Sequence, residues 1–235
     1  FLFDHGTKTS LMVTIMKLKQ DYEHGVKVSE EPLVWVFENF LTSVESEHLL
    51  DAADSRLQRA LVSSATSGVE SAGRSGRNCW LKHDHSDTTE QILSRVALLI
   101  GLPRQNAESF QVVHYGEDQE YAPHFDAWDA STERGMRCME KGGQRLLTCL
   151  FYLNDVSEGG GTCFPKLDLE VQAKKGRMLL FYNCHSESII RHPYSLHAGL
   201  PVSKGEKWAC NLWFRERTYQ MVSVSKAPNR VRRVI

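Results

Sequence analysis

This chain has almost no net charge. Its 28 lysines and arginines offset 29 aspartates and glutamates over 235 residues, for a formal charge of −1. Without a global field there is no electrostatic case for nucleic acid or an anionic membrane surface as partner. No apolar run approaches the ~20 residues that a membrane-crossing helix needs. The six cysteines, at 79, 138, 149, 163, 184 and 210, never form C-x-x-C, which argues against a structural zinc site. Cys149 and Cys210 lie in apolar runs and read as buried thiols. Nothing demands a disulfide framework, so a reducing, cytoplasmic compartment is favoured. The first residue is Phe1, so a targeting segment could have preceded it, and the endoplasmic reticulum lumen is the alternative location. No internal repeat is visible, and nothing speaks to oligomeric state. Charge is lopsided only at the C-terminal end, where Arg217, Lys226, Arg230, Arg232 and Arg233 follow Glu216 without an acid. That end reads as a solvated basic tail.

The length suits one domain with a sizeable core. The first 25 residues give mixed signals, and 11–18 reads equally as a short helix or an edge strand. Residues 32–37 read as a strand, and Thr42 or Ser43 then caps a helix carrying Leu49, Leu50, Ala53 and Leu57. The stretch 63–77, rich in Ser, Gly and Arg, reads as a mobile loop. A second helix spans about 88–100, with Asp87 expected as its N-cap and Glu90 completing a capping box. It stops at Gly101, with Pro103 beyond. After Tyr115 the pattern turns to short strands between turns. The apolar stretch 146–153 suits a strand buried on both faces, and 177–182 and 208–214 are further strands. Strands following helices predict a β-sandwich or barrel with a helical flank. The segment 127–143, with Trp128, Arg134 and Arg137, is either a lid or a plain surface insertion.

Two H-x-D tripeptides occur. His85-Ser86-Asp87 precedes the second helix, and His85 is read as a surface residue there. His124-Phe125-Asp126 follows Pro123 in an extended segment, where residues two apart share a face. Two imidazoles and one carboxylate on one side of an ion form the facial set of non-haem Fe(II) oxygenases, so a third ligand is needed. His185, His192 and His197 are the candidates. His197 is preferred for its small neighbours Ala198 and Gly199, while His185 and His192 sit in a polar connection and are expected to face solvent. Lys207 opens the following strand and could place an ammonium in a pocket beside the metal. Lys204, before the turn, is expected to stay in water.

These residues stand within FQVVHYGEDQEYAPHFD, RLLTCLFYLNDVSEGGGTCFP, KKGRMLLFYN and HAGLPVSKGEKWACNLWFRE. In order, spacing and flanking residues, about 31–217 resembles the prolyl 4-hydroxylase type of 2-oxoglutarate/Fe(II) dioxygenase. The resemblance implies a mainly β fold, a double-stranded β-helix (jelly-roll, cupin-like) core with flanking helices. It divides the chain into an N-terminal extension over 1–30, one dioxygenase domain over 31–217 (helical flank 40–105, core 108–217) and a tail over 218–235. His124, Asp126 and His197 would bind Fe(II). Lys207, Tyr115 and Thr148 would hold the distal carboxylate of 2-oxoglutarate. Tyr121 and Trp213 would stand beside the substrate proline, with Arg74 and Glu108 as further substrate residues, and Arg77 could serve in place of Arg74. No catalytic residue beyond the metal ligands is implied.

The implied reaction consumes O2 and 2-oxoglutarate, releases succinate and CO2, and uses ascorbate as reductant. The implied substrate is a proline-containing peptide or protein, with no nucleic acid or membrane partner. Asp126 favours hydroxylation over halogenation, because a carboxylate fills the position a halide would take. A hydroxylase of a free amino acid or other small molecule, and a non-catalytic jelly-roll binding module, are the competing readings.

Overall fold

In the computed structural model, residues 18–60, 62–63, 68–69 and 73–219 are described, and the expectations for 11–17 and for the basic tail beyond Tyr219 lie outside them. The chain opens with an antiparallel pair, β1 (Val26–Glu30) and β2 (Leu33–Phe37), followed by helix α1 (Ser43–Asp54). Next come β3 (Gln58–Arg59), β4 (Arg77–Leu81) and helix α2 (Asp87–Ile100). Strands β5 (Phe110–Tyr115) and β6 (Tyr121–His124), short helix α3 (Glu133–Glu140) and strand β7 (Arg145–Tyr152) continue the chain. It then runs through β8 (Thr162–Phe164), β9 (Leu169–Val171), β10 (Met178–Tyr182), β11 (His197–Gly199) and β12 (Lys207–Arg215).

Two main antiparallel sheets result, beside two short two-stranded pairs. The larger runs β1-β2-β10-β7-β12-β5-β4-β3, and the smaller β9-β8-β11-β6. The period of two along each strand explains how they stack. In β10, Met178, Leu180 and Tyr182 face the cluster shared with the helices, while Leu179 and Phe181 face the cluster between the sheets. In β7, Leu147, Cys149 and Phe151 take the helical side, and Leu150 and Tyr152 the inter-sheet side. The central strands are therefore largely apolar because both faces are covered. On β12 and β5 the inner face turns polar, and Lys207, Asn211, Trp213, Gln111 and Tyr115 line a cavity between the sheets. This is the expected jelly roll with helices packed outside.

Two local expectations are corrected, and a third is narrowed. Ser86, not Asp87, caps α2. Its extended backbone (φ −161°) lets its hydroxyl accept from the Thr89 amide, and the Thr89 hydroxyl accepts from the Ser86 amide. Asp87 becomes the first helical residue, where its charge still favours the N-terminal dipole. Residues 18–30 are not an extension: Leu18 and Tyr22 are buried, Tyr22 packs edge-on to Trp35 at 5.4 Å, and β1 is the sheet's outermost strand. The segment 127–143, read as either a lid or a plain surface insertion, carries α3 and sends Trp128, Arg134 and Arg137 to the cavity. The α1 cap matches expectation, with Thr42 and Glu45 bonded reciprocally. Arg95 of α2 clamps the same Glu45 at 2.8 Å and so ties the two helices together.

Candidate active site

The smaller sheet brings two histidines face to face. β6 ends on His124 and β11 begins on His197, and these are register partners with ring centroids 4.3 Å apart. Asp126 stands in the bend just past β6 rather than in the strand, yet turns to the same side. Its Oδ1 lies 3.8 Å from His124 Nε2 and its Oδ2 3.6 Å from His197 Nε2. The three donor atoms fall within 4.8 Å of one another.

Backbone carbonyls decide which ring nitrogens are available. His124 Nδ1 donates to Ala122 O at 3.0 Å and His197 Nδ1 to Ser195 O at 2.9 Å. Each Nε2 lone pair is left aimed at the common centre, the arrangement that fixes the tautomer of metal-binding histidines. Burial, with the neighbouring His197, pushes His124 down to about 3, so its imidazole is neutral. Burial works against ionisation of Asp126, but His197, His124 and Arg145 outweigh it and hold the carboxyl down to about 2. Two neutral nitrogens and one anionic oxygen on one side of a centre fit a divalent non-haem iron, with further positions left for other ligands.

Supporting residues surround this set. Thr148 Oγ1 donates to Asp126 Oδ2 at 2.7 Å and accepts from Asn183 Nδ2 at 2.9 Å. The hydroxyl thus stands behind the metal ligand, and Thr148 is not among the residues lining the cavity. This corrects its expected contact with the co-substrate. Tyr121 stacks on His124 with centroids 3.6 Å apart, and the Arg74 guanidinium lies 4.6 Å over the other ring of that stack, Tyr121. Arg74 also donates to Gln111 at 3.1 Å. Arg77 faces His114 instead and is not part of the lining, so Arg74 is the arginine at the site.

The cavity holds about 470 Å³. Lys207, expected there, is buried on its wall. Its Nζ lies 3.4 Å from Gly161 O and 6.0 Å from the centre of the Tyr115 ring. Burial drives the ammonium down to about 8. Tyr115 pairs with Lys207 in register, and burial raises its phenol while Arg74 opposes the rise. Lys204 is exposed, as expected. Thr162, on β8, supplies the hydroxyl-bearing threonine that does line the cavity.

Glu108 is also corrected. Instead of facing substrate it is buried between two arginines. Arg145 bonds both its oxygens, at 2.6 and 2.8 Å, and Arg215 Nε lies 2.6 Å from Oε1. Burial alone would raise the carboxyl, but the two guanidiniums keep it below the usual range. Arg145 in turn lies 3.7 Å over the Trp213 ring and 4.7 Å over Trp128, all three lining the cavity. Arg145 escaped sequence reasoning, although a lone arginine heading an apolar strand was a visible signal. His192, expected in solvent, is buried with its Nε2 3.6 Å from Glu31. Its Nδ1 accepts from the Tyr194 amide, which leaves Nε2 protonated, so this second cluster with His185 is not poised for a metal.

A facial two-histidine, one-carboxylate centre in a jelly roll, with a buried lysine in the same cavity, defines a non-haem iron oxygenase that takes an anionic co-substrate. Comparison with known proteins agrees. The 2OG-Fe(II) oxygenase superfamily matches residues 110–215. A prolyl 4-hydroxylase-like protein of Acanthamoeba polyphaga mimivirus is 34% identical over 204 residues, covering 87% of this chain and 83% of that protein. Prolyl 4-hydroxylase 5 of Arabidopsis thaliana is 34% identical over 217 residues, covering 83% and 72%. Among solved structures, the 2OG complex of the viral collagen prolyl hydroxylase of Paramecium Bursaria Chlorella virus-1 superposes with a TM-score of 0.62 at 26% identity, covering 77% of this chain and 95% of that one. The chain belongs to the prolyl 4-hydroxylases of the 2-oxoglutarate/Fe(II) oxygenase superfamily, and is a 2-oxoglutarate- and Fe(II)-dependent dioxygenase.

Proposed function

We propose that this enzyme hydroxylates proline within a peptide or protein, using O2 as oxidant and ascorbate to keep its iron ferrous. The observation that carries the reading is the convergence of His124, Asp126 and His197 at the wall of a cavity that also holds Lys207 and two aromatic residues, Tyr121 and Trp213. Bound iron, with 2-oxoglutarate and O2, supplies the oxidising power that places one oxygen on a C–H bond and releases succinate and CO2.

The chain's own groups do the rest. The three ligands offer neutral nitrogens and an ionised oxygen without rearrangement, because carbonyls and Thr148 already orient them. Lys207 offers a charge to the distal carboxylate of 2-oxoglutarate, and the Tyr115 hydroxyl a hydrogen bond beside it. In a dry pocket such a charge-assisted contact orients the co-substrate more firmly than it would in water. Arg145 and Glu108 fix Trp213, and His124 and Arg74 pack on the Tyr121 ring, so both aromatic side chains are held in place. A proline ring, apolar and without a donor, suits a wall of this kind.

The cavity's outer part supports a peptide over a free amino acid. Trp80, 49% exposed, continues the lining beside Trp213 at a centroid distance of 6.0 Å, so the aromatic surface extends out of the pocket. A solved prolyl hydroxylase of Trichoplax adhaerens carries a hypoxia inducible factor peptide, and this chain shares its fold. The test incubates purified protein with Fe(II), 2-oxoglutarate and ascorbate against proline peptides and free proline. Stoichiometric succinate and a peptide gaining one oxygen are expected. Oxidation of free proline alone would overturn the peptide reading.

A further inference from the structure

The polar chain behind Asp126 does not end at Thr148. Asn183 follows β10 directly and is fully buried. Its carboxamide Nδ2 donates to Thr148 Oγ1 at 2.9 Å, and that hydroxyl donates to Asp126 Oδ2 at 2.7 Å. A threonine hydroxyl has one proton to give and rotates to aim it. The amide occupies the hydroxyl's acceptor side and leaves its proton for the metal ligand. The opposite orientation of the amide would set Oδ1 against Thr148, in competition with Asp126 for that single proton. Bonds linked head to tail in this way polarise one another in a low-dielectric interior. Asn183 Oδ1, by contrast, has no hydrogen-bond partner among the described residues. An apolar side chain of like size would avoid the cost of burying that oxygen. Packing alone therefore gives no reason for a carboxamide at this position.

The main chain holds this amide in place. Asn183 N donates to Leu146 O at 2.9 Å, which ties it to β7. Asn183 O accepts from His192 N at 2.9 Å and lies 3.2 Å from Ser195 Oγ. These bonds close the loop that pairs Cys184 with Arg191 and seat the turn Pro193–Ser195. Ser195 O is in turn the acceptor that orients His197 Nδ1. Asn183 thus stands behind two of the three metal ligands, yet is not among the residues lining the cavity. We infer that Asn183 is a positioning residue for the iron centre, its carboxamide keeping the Thr148 proton on Asp126 so that the carboxylate is held ready for the metal. It acts through Thr148 and touches neither iron nor substrate. Outer partners of this kind set the orientation and basicity of the ligands they support. The inference concerns the iron centre alone and is independent of which substrate the enzyme takes.

The test is anaerobic Fe(II) titration of the full chain without substrate, with 2-oxoglutarate affinity measured at saturating iron and a thermal melt of each variant. Asn183→Leu keeps the bulk and removes the donor, whereas Asn183→Ala removes both. Each should weaken iron binding about tenfold or more and leave 2-oxoglutarate affinity within about twofold. The decisive comparison changes the partner. In the T148V background no hydroxyl is left to steer, so N183L should weaken iron no further, to within about twofold. In the T148S background, which keeps the hydroxyl, the full loss from N183L should return. A residue that merely supported the fold would give the same loss in all three backgrounds. Additive losses in N183L/T148V, unchanged iron affinity in N183L, or a fall in N183A that N183L does not share would each overturn the inference. Failure of both single variants to fold would overturn it too, since the carboxamide would then serve the fold. No substrate is present, so none of these results bears on the proline reading.

Discussion

Lys207→Met keeps most of the side chain's bulk and removes its charge. Without co-substrate, the ammonium is buried with one carbonyl contact, Gly161 O at 3.4 Å. Its fall from 10.5 to about 8 corresponds to roughly 3 kcal/mol at 1.36 kcal/mol per pH unit. Because the folded-state value lies below the unfolded one, the penalty is complete below pH 8 and disappears above about 10.5. The apoprotein should therefore gain stability as pH rises through that window, and Lys207→Met should abolish the gain. At pH 7 the variant should be more stable than the unaltered protein by up to roughly 3 kcal/mol. Co-substrate reverses the balance. Its carboxylate gives the buried ammonium a partner, and a charged hydrogen bond of this kind contributes about 1.5–3 kcal/mol. Lys207→Met should then raise KM for 2-oxoglutarate by about 10- to 100-fold, with kcat at saturation falling less. In the unaltered enzyme KM should climb as pH passes 8 and the amine loses its proton. Succinate release against 2-oxoglutarate concentration, with urea unfolding at pH 7 and 9, measures all of this. A KM within about threefold of the unaltered enzyme, or a variant less stable than it at pH 7, would refute the reasoning.

Three further substitutions probe the neighbouring groups. Thr148→Val removes the 2.7 Å donor to Asp126, so Fe(II) affinity should fall about tenfold or more in anaerobic titration while KM for 2-oxoglutarate moves little. The opposite pattern would return Thr148 to a co-substrate role. Glu108→Gln strips the buried Arg145 and Arg215 of their counter-charge and should cost about 3–5 kcal/mol in chemical denaturation. A loss under about 1 kcal/mol would mean those guanidiniums are neutralised elsewhere. Gly76→Ala would set a Cβ 2.5 Å from the Tyr115 ring and 2.6 Å from His114 O, a backbone atom with little room to move. It should cost about 1–3 kcal/mol and raise KM for 2-oxoglutarate by displacing the Tyr115 phenol.

Much of this site was legible in sequence because its determinants are local. A histidine closing a strand, a histidine among small residues and a lysine opening a strand each report a position on a strand face, and strand faces follow from a period of two; Asp126 reaches the same side from the bend past β6 instead. What remained hidden depended on long-range partners. Thr148 lies on a strand buried on both sides, so its residue type says nothing about which hydroxyl acceptor it meets; the partner, Asp126, is set by how β7 packs beneath the β6 bend. Glu108 looked like a free acid because its two arginines lie 37 and 107 residues downstream. The strand Val26–Glu30 alternates, but with its valines exposed and Lys27 and Ser29 half-buried, so the apolar positions do not mark the covered face of this outermost strand. His192 stands in a polar stretch, and nothing local predicts that it folds inward against Glu31. Helix α3 is short and strongly polar, with Gly135 its sole buried residue, so no apolar period announced it.

The central claim is that His124, Asp126 and His197 hold one iron together. Anaerobic titration of the apoprotein with Fe(II), with and without 2-oxoglutarate, addresses it most directly. One equivalent per chain should bind, 2-oxoglutarate should tighten that binding, and Asp126→Ala should abolish it while leaving the thermal melt of the fold in place. Unchanged iron binding in Asp126→Ala, or 2-oxoglutarate affinity indifferent to the metal, would contradict the account.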